Sequence, residues 1–255
     1  MELQDRICSN LEQIDNQHKF QEDNWLRPDG GGGRTRVIEN ATILERGGCN
    51  FSAVHGTTNP QMLKALDLAD KASGINTFFA CGVSLVMHPR NPNAPIVHMN
   101  VRYFELDNGI WWFGGGIDLT PIYVCKDNAR FFHNHLKSVC DKFDERYYPD
   151  FKKWADDYFF LPHRNETRGI GGIFFDRLNE SAGYNSNKNG CWEFVKAIGN
   201  AFNEVYTPIL LSKCNLPSTE EQRQWQLMRR GRYAEFNLIW DRGTKFGLET
   251  NGRTE

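Results

Sequence analysis

No run of apolar residues in this sequence is long enough to cross a bilayer; the longest, around residues 75–87, is interrupted by Asn76, Thr77 and Ser84. Nor does one sign of charge dominate. A formal net charge of −2, with acids and bases intermingled, leaves no electrostatic footprint for nucleic acid or an anionic membrane, so any positive region has to be local. The seven cysteines are scattered, odd in number and never spaced as Cys-x-x-Cys, which argues against a disulfide frame or zinc site and fits reduced thiols in the cytoplasm. The opening MELQDRICSN carries acids and no apolar stretch, unlike a secretory signal. Low-complexity tracts other than short glycine runs, internal repeats and Pro/Gly-rich linkers are all missing. The 255 residues therefore read as one domain with enough chain for a substantial core.

What is present begins with Ile96 to Leu106, IVHMNVRYFEL. At the two-residue period of a strand, Val97, Met99, Val101 and Tyr103 fall on one face and His98, Asn100 and Arg102 on the other. Residues 78–88 (FFACGVSLVMH) also read as a strand, and the proline-broken run Pro89 to Pro95 supplies the turn between the two. Antiparallel pairing puts Ser84, His88, His98, Asn100 and Arg102 on one sheet surface. A hydroxyl, two imidazoles, an amide and a guanidinium together suit an anionic ligand, although a plain solvated face would use the same residue types.

Around this pair the chain predicts an amphipathic first helix over residues 2–18, then a glycine run, Gly30–Gly33, read as a flexible loop or lid. Strands over 35–44 and 49–54 are expected to meet at the turn Glu45-Arg46-Gly47-Gly48. Asn59 and Pro60 mark a helix start, and Asp107-Asn108-Gly109 a hairpin. The next strand should break at Gly114–Gly116 and deliver Asp118 in a loop. Helices follow over 126–147, from Pro149, through Trp192 to Val205, and after a capping box of Ser218 and Glu221. The alternating YAEFNLIWD, Tyr233 to Asp241, reads as a final strand.

Long ordered strings then carry a resemblance: Asn50-Phe51-Ser52-Ala53-Val54-His55-Gly56, His88-Pro89-Arg90-Asn91-Pro92, Val97 to Phe104, Trp112 to Pro121, His163-Arg164-Asn165-Glu166, Arg168-Gly169-Ile170-Gly171-Gly172 and Glu235 to Thr244. With these in order over nearly the whole chain, the sequence resembles the oxygen-dependent coproporphyrinogen III oxidases. The resemblance implies an α+β fold in which a large, flat antiparallel sheet is covered on both faces by helices. It implies a cytoplasmic homodimer and a family chain that continues past Glu255. The implied reaction is the O2-dependent oxidative decarboxylation of two propionates of coproporphyrinogen III to vinyls, giving protoporphyrinogen IX in haem biosynthesis without an organic cofactor.

Carried over by motif, Ser84, Asn100, Val101, Arg102, Asn251, Gly252 and Arg253 match substrate-contacting positions. His98 matches the proton donor, and Asp118 and Asp241 match acids that engage the pyrrole nitrogens. His88, His98, His133 and His163 match divalent-metal ligands, although histidines on a polar sheet face also bind carboxylate or water. The chemistry agrees in kind, because four propionates need cationic forks. Arg102, Arg242 and Arg253, with Arg34 or Arg168, are the candidates. An aspartate is the natural acceptor for inward pyrrole N–H groups, and Asp241 or Asp118 is the expected base. A non-catalytic tetrapyrrole carrier and a histidine–carboxylate iron oxygenase remain rival readings of the same residues.

Overall fold

The computed structural model describes residues 1–68, 74–184 and 186–249; the expected contacts of Asn251, Gly252 and Arg253 lie outside the described residues. Seven antiparallel strands form one sheet in the order β1 (Gln21–Leu26), β2 (Gly31–Glu39), β3 (Leu44–Thr57), β4 (Thr77–Pro89), β5 (Ile96–Leu106), β6 (Trp111–Thr120) and β9 (Gly172–Leu178). The first six follow one another as hairpins or over the short helix α2 (Pro60–Ala65), whose Asn59 side chain caps Met62 N–H as the sequence predicts. Between β6 and β9 come α3 (Lys126–Cys140), α4 (Tyr147–Tyr158) and a small hairpin, β7 (Phe160–Leu161) with β8 (Glu166–Thr167). Helices α1 (Glu2–Asp15), α5 (Lys188–Lys213), α6 (Glu220–Ile239) and α7 (Arg242–Glu249) complete the order.

Strand alternation divides the sheet into two unlike faces. On one, Val83, Leu85, Met87, Val97, Met99, Val101, Ile117, Leu119, Ile173 and Phe175 join the main core with Ile7 and Leu11 of α1, Phe132 and Leu136 of α3, Phe151 of α4 and Phe194, Ile198, Phe202 and Val205 of α5. Each such side chain taken out of water contributes roughly 1.5–3 kcal/mol. Among the described residues the other face is covered only at its ends. Met62 and Leu63 of α2 pack on Phe78, Phe104 and Trp112 at one end. At the other, Tyr233 of α6 packs with Ile96 and Ile122, and Phe236 packs with Phe159 and Phe174. Helices thus lie on both sides of an antiparallel sheet, as the α+β expectation has it.

Five local expectations are corrected. Gly31–Gly33 belong to β2 rather than to a lid: Gly30 (φ 124°) and Gly31 (φ 79°) turn the first hairpin, and a Cβ at Gly33 would stand 2.4 Å from the Trp25 indole. The β2–β3 turn sits at Asn40–Ile43 because Asn40 accepts a left-handed φ of 54°, and Glu45–Gly48 continue as strand. Strand β6 runs straight through its three glycines, so Asp118 is a strand residue, paired across from His98. Residues 233–239 are helix, not strand. Gln226, Tyr233 and Phe236 are the buried positions, a helical spacing, whereas Leu238, which alternation would bury beside Phe236, is 67 % exposed. The cap that opens this helix is Thr219 with Gln222, one residue beyond the expected pair.

Candidate active site

Between the two covered ends, the second face is an open trough floored by small residues. One cross-strand row runs Thr35, Asn50, Ser84, Asn100, Gly116, Phe174, and the next runs Gly33, Ser52, Gly82, Arg102, Gly114. Glycine at 114 allows the Arg102 guanidinium to lie flat on the sheet; a Cβ there would approach its atoms to 2.6 Å. Arg102 is steadied by Asn100 Oδ1 (2.7 Å) and by Asp176 Oδ1 (2.8 Å) from β9. The Ser84, Asn100 and Arg102 side chains therefore share a surface, as the alternation requires. Val101 points the other way, into the main core, and can meet a ligand only through its backbone.

The third row brings His98 beside Asp118. Asp118 is 2 % exposed; its Oδ1 accepts from His98 Nδ1 at 2.8 Å and its Oδ2 from Arg168 Nη2 at 2.6 Å. Burial by itself would push this carboxyl up, but the Arg168 guanidinium and the His98 ring outweigh it and hold the acid below its ordinary value, as a carboxylate. A carboxylate on Nδ1 fixes the ring's tautomer, with the proton on Nδ1, and leaves Nε2 as the nitrogen with no hydrogen bond among the described residues. The Phe159 ring stands edge-on to this imidazole, with centroids 6.3 Å apart.

Asp241 reaches the same region from the turn between α6 and α7. Its Oδ2 caps α7 through Thr244 N–H (2.9 Å) and Oγ1 (2.7 Å), and its Oδ1 accepts from the Tyr158 hydroxyl at 2.5 Å. Burial works to raise this carboxyl, yet those bonds and the nearby charge of His98 keep it low. Tyr158 in turn stacks on Phe174 with centroids 4.2 Å apart, and the Arg102 guanidinium lies 6.0 Å from that same ring. Asp118, Asp241, His98 and Arg102 thus converge on one side of the sheet.

The four histidines expected to share a metal do not form one set. His98 has Nδ1 on Asp118. His88 is edge-on to Tyr233 with a buried, unpartnered Nδ1, and burial together with the Arg230 charge lowers it to about 4. His133 sits in the helical layer behind the opposite face, donating from Nε2 to Ile170 O (3.0 Å) and accepting at Nδ1 from Tyr148 (3.1 Å). His163 uses both nitrogens as well, on Glu235 (2.6 Å) and the Trp240 indole (3.1 Å). Among the described residues no three His, Cys, Asp or Glu side chains gather as a metal-holding group. His133 and His163 do not fit as partners of His98.

Of the arginines proposed as forks, Arg34 points to α1, where it binds Gln4 and Asp5, and Arg168 is consumed by Asp118. Arg242 lies over the Tyr158 ring at 5.3 Å, beside Asp241. Two participants had no signal of their own in the sequence. Tyr158 looks like one more apolar helix residue, and Asp176 like the end of an apolar strand; only the pairing of β9 with β6 and the packing of α4 on β9 bring them in.

A family model described as coproporphyrinogen III oxidase matches residues 1–255. An oxygen-dependent coproporphyrinogen-III oxidase of Prochlorococcus marinus strain NATL1A is 48% identical over 275 residues, covering 100% of this chain and 78% of the relative. Proteins of the same name from strains MED4 and MIT 9312 are each 47% identical, covering 100% and 99% of this chain and 79% of each relative.

Proposed function

Since this chain belongs to the coproporphyrinogen III oxidase family, we propose that the trough is where its tetrapyrrole substrate lies and that His98, Arg102 and Asp241 touch it. The reaction is the oxygen-dependent decarboxylation of two propionates of coproporphyrinogen III, giving protoporphyrinogen IX for haem, with O2 as co-substrate. For each side chain the propionate carboxylate, one O2 and one proton yield a vinyl group, CO2 and H2O2. The C–COO bond breaks, a hydride equivalent leaves the carbon next to the ring, and O2 takes up the two electrons.

The residues suit the charges that this chemistry creates. Arg102, flat on Gly114, offers a guanidinium to a propionate, and each charged hydrogen bond formed there is worth roughly 1.5–3 kcal/mol. Ser84 and Asn100 add neutral donors on the same floor. Asp241, less enclosed than Asp118, is the acceptor for pyrrole N–H. Withdrawing that proton makes the macrocycle electron-rich enough to react with O2. His98 Nε2 is the donor of the proton that is consumed with O2, with Asp118 fixing its ring from behind. Asp118 does not act as the base in this scheme, because it has almost no exposure and its carboxylate is paired with the buried Arg168 guanidinium. Asn251, Gly252 and Arg253 complete the propionate contacts, 1–255 forms one domain, and the protein works as a cytoplasmic homodimer.

The observation that supports this reading most is the shared surface of His98 and Arg102, with the buried acid behind one and a glycine beneath the other. Three variants test it, with porphyrin fluorescence after oxidation following both product formation and substrate binding. His98→Gln and Asp241→Ala should each lower kcat about 10²–10⁴-fold with little change in binding, whereas Arg102→Ala should chiefly raise KM. Unchanged turnover in both of the first two would remove the assignment.

A further inference from the structure

Arg168 is a charged residue that the reaction scheme leaves without a task, although it is one of the most enclosed ionic groups in the molecule. It is 5 % exposed, and its guanidinium sits in an aromatic box, 4.1 Å from the Phe159 ring centre, 4.6 Å from Tyr233 and 4.8 Å from Phe236. Its Nη2 meets Asp118 Oδ2 at 2.6 Å and its Nη1 meets Asn237 Oδ1 of α6 at 3.2 Å, so one planar fork joins β6 to α6. A buried ion pair is a poor device for stability alone, because removing two charges from water cancels most of their attraction. What this pair does have is direction: the remaining oxygen of Asp118 is the one on His98 Nδ1. Rings on three sides exclude water that would otherwise let the carboxylate rotate, and a guanidinium, unlike an ammonium, fixes orientation through its plane.

We propose that Arg168 is a positioning residue of the reaction, the charged link in a chain Asn237–Arg168–Asp118–His98 that locks the imidazole so that Nε2 faces the substrate. It makes no contact with the substrate; its effect passes through Asp118. This rests on the assignment of His98 above, and the experiment keeps the two claims apart.

Arg168→Lys keeps a buried cation for Asp118 and so keeps the fold, but it loses the planar fork; Arg168→Gln removes the cation. Losing such outer-shell partners typically costs 10–100-fold in activity, so kcat should fall about 10-fold in the first and about 100-fold in the second, with KM within about twofold. In ¹⁵N-histidine-labelled protein, the His98 Nδ1–H resonance, identified by its loss in His98→Gln, should shift in the Lys variant. A kcat within about twofold of wild type in Arg168→Lys overturns the proposal, as does a drop in kcat with that resonance unmoved. The Lys variant decides alone if the Gln variant does not fold. Full turnover in His98→Gln would instead overturn the reading of the site, whatever the Arg168 variants do.

Discussion

At the scale of single residues, the trough depends as much on what is absent as on what is present. Gly114 is a case where a missing side chain makes room for a working one. Gly114→Ala would drive a methyl to within 2.6 Å of the Arg102 guanidinium. The arginine is the flexible partner and should lift off the sheet while the backbone stays. Steady-state kinetics should show KM raised about 10-fold, the loss of roughly one charged hydrogen bond, with a nearly unchanged melting temperature. Residue-level legibility was uneven. The split of β5 into Val97, Met99 and Val101 against His98, Asn100 and Arg102 could be read directly, since a period of two is a property of neighbours in sequence. Tyr158, Asp176 and the true partner of Arg168 could not, because each acquires its role from an element that arrives from elsewhere in the chain.

Among the elements, α6 is the one that closes the trough's histidine end, and it is held by ions rather than by a broad apolar stripe. Arg223 and Arg230 bind Glu45 at the start of β3, at 2.8 and 2.9 Å, and Arg229 and Arg232 bind Glu166, at 3.1 and 3.0 Å. Burial would raise the Glu45 carboxyl, but the two arginines bring it down to about 2 from an ordinary 4.5. With the folded value depressed, this tie is fully present above pH 4.5 and is lost as pH falls towards 2. Acid titration followed by tryptophan fluorescence, with Trp225 and Trp240 on or beside α6, should show a transition in that window. Glu45→Gln should shrink the transition, leaving the share of Glu235, which Arg164 and His163 also hold down to about 2, and make the protein less stable at neutral pH by about 1–3 kcal/mol, the usual cost of stranding buried donors.

The same helix shows why sequence periodicity misled. From Tyr233 to Asp241 apolar residues occupy both alternate and every third or fourth positions, and nine residues are too few to separate the two periods. Only burial does so, by enclosing Tyr233 and Phe236 and leaving Leu238 and Ile239 outside. The glycine runs misled for a related reason. Glycine marks turns and close strand approach alike, and Gly31–Gly33 and Gly114–Gly116 serve mainly the second purpose.

For the molecule as a whole, stability and chemistry occupy opposite sides of one sheet. The apolar side carries most of the large aromatic and aliphatic packing, with Phe202 of α5 at 0 % exposure within it. Phe202→Ala should cost about 3–5 kcal/mol in urea unfolding while leaving KM for the porphyrinogen unchanged, since Phe202 lies in the helical layer on the side of the sheet away from the trough. The α+β layering came from the family resemblance, and most of its strands and helices were recoverable from their periods. The convergence of Asp118 and Asp241 was not, since it depends on β6 continuing through its glycines and on α6 ending where the sheet ends.

One consequence reaches beyond any single site. A walk of alanine substitutions along Val97 to Arg102 should report alternately to two instruments: Val97, Met99 and Val101 to the calorimeter, His98, Asn100 and Arg102 to the rate assay. On such a strand, tolerance to change has a parity, and neighbouring letters answer to different selective pressures.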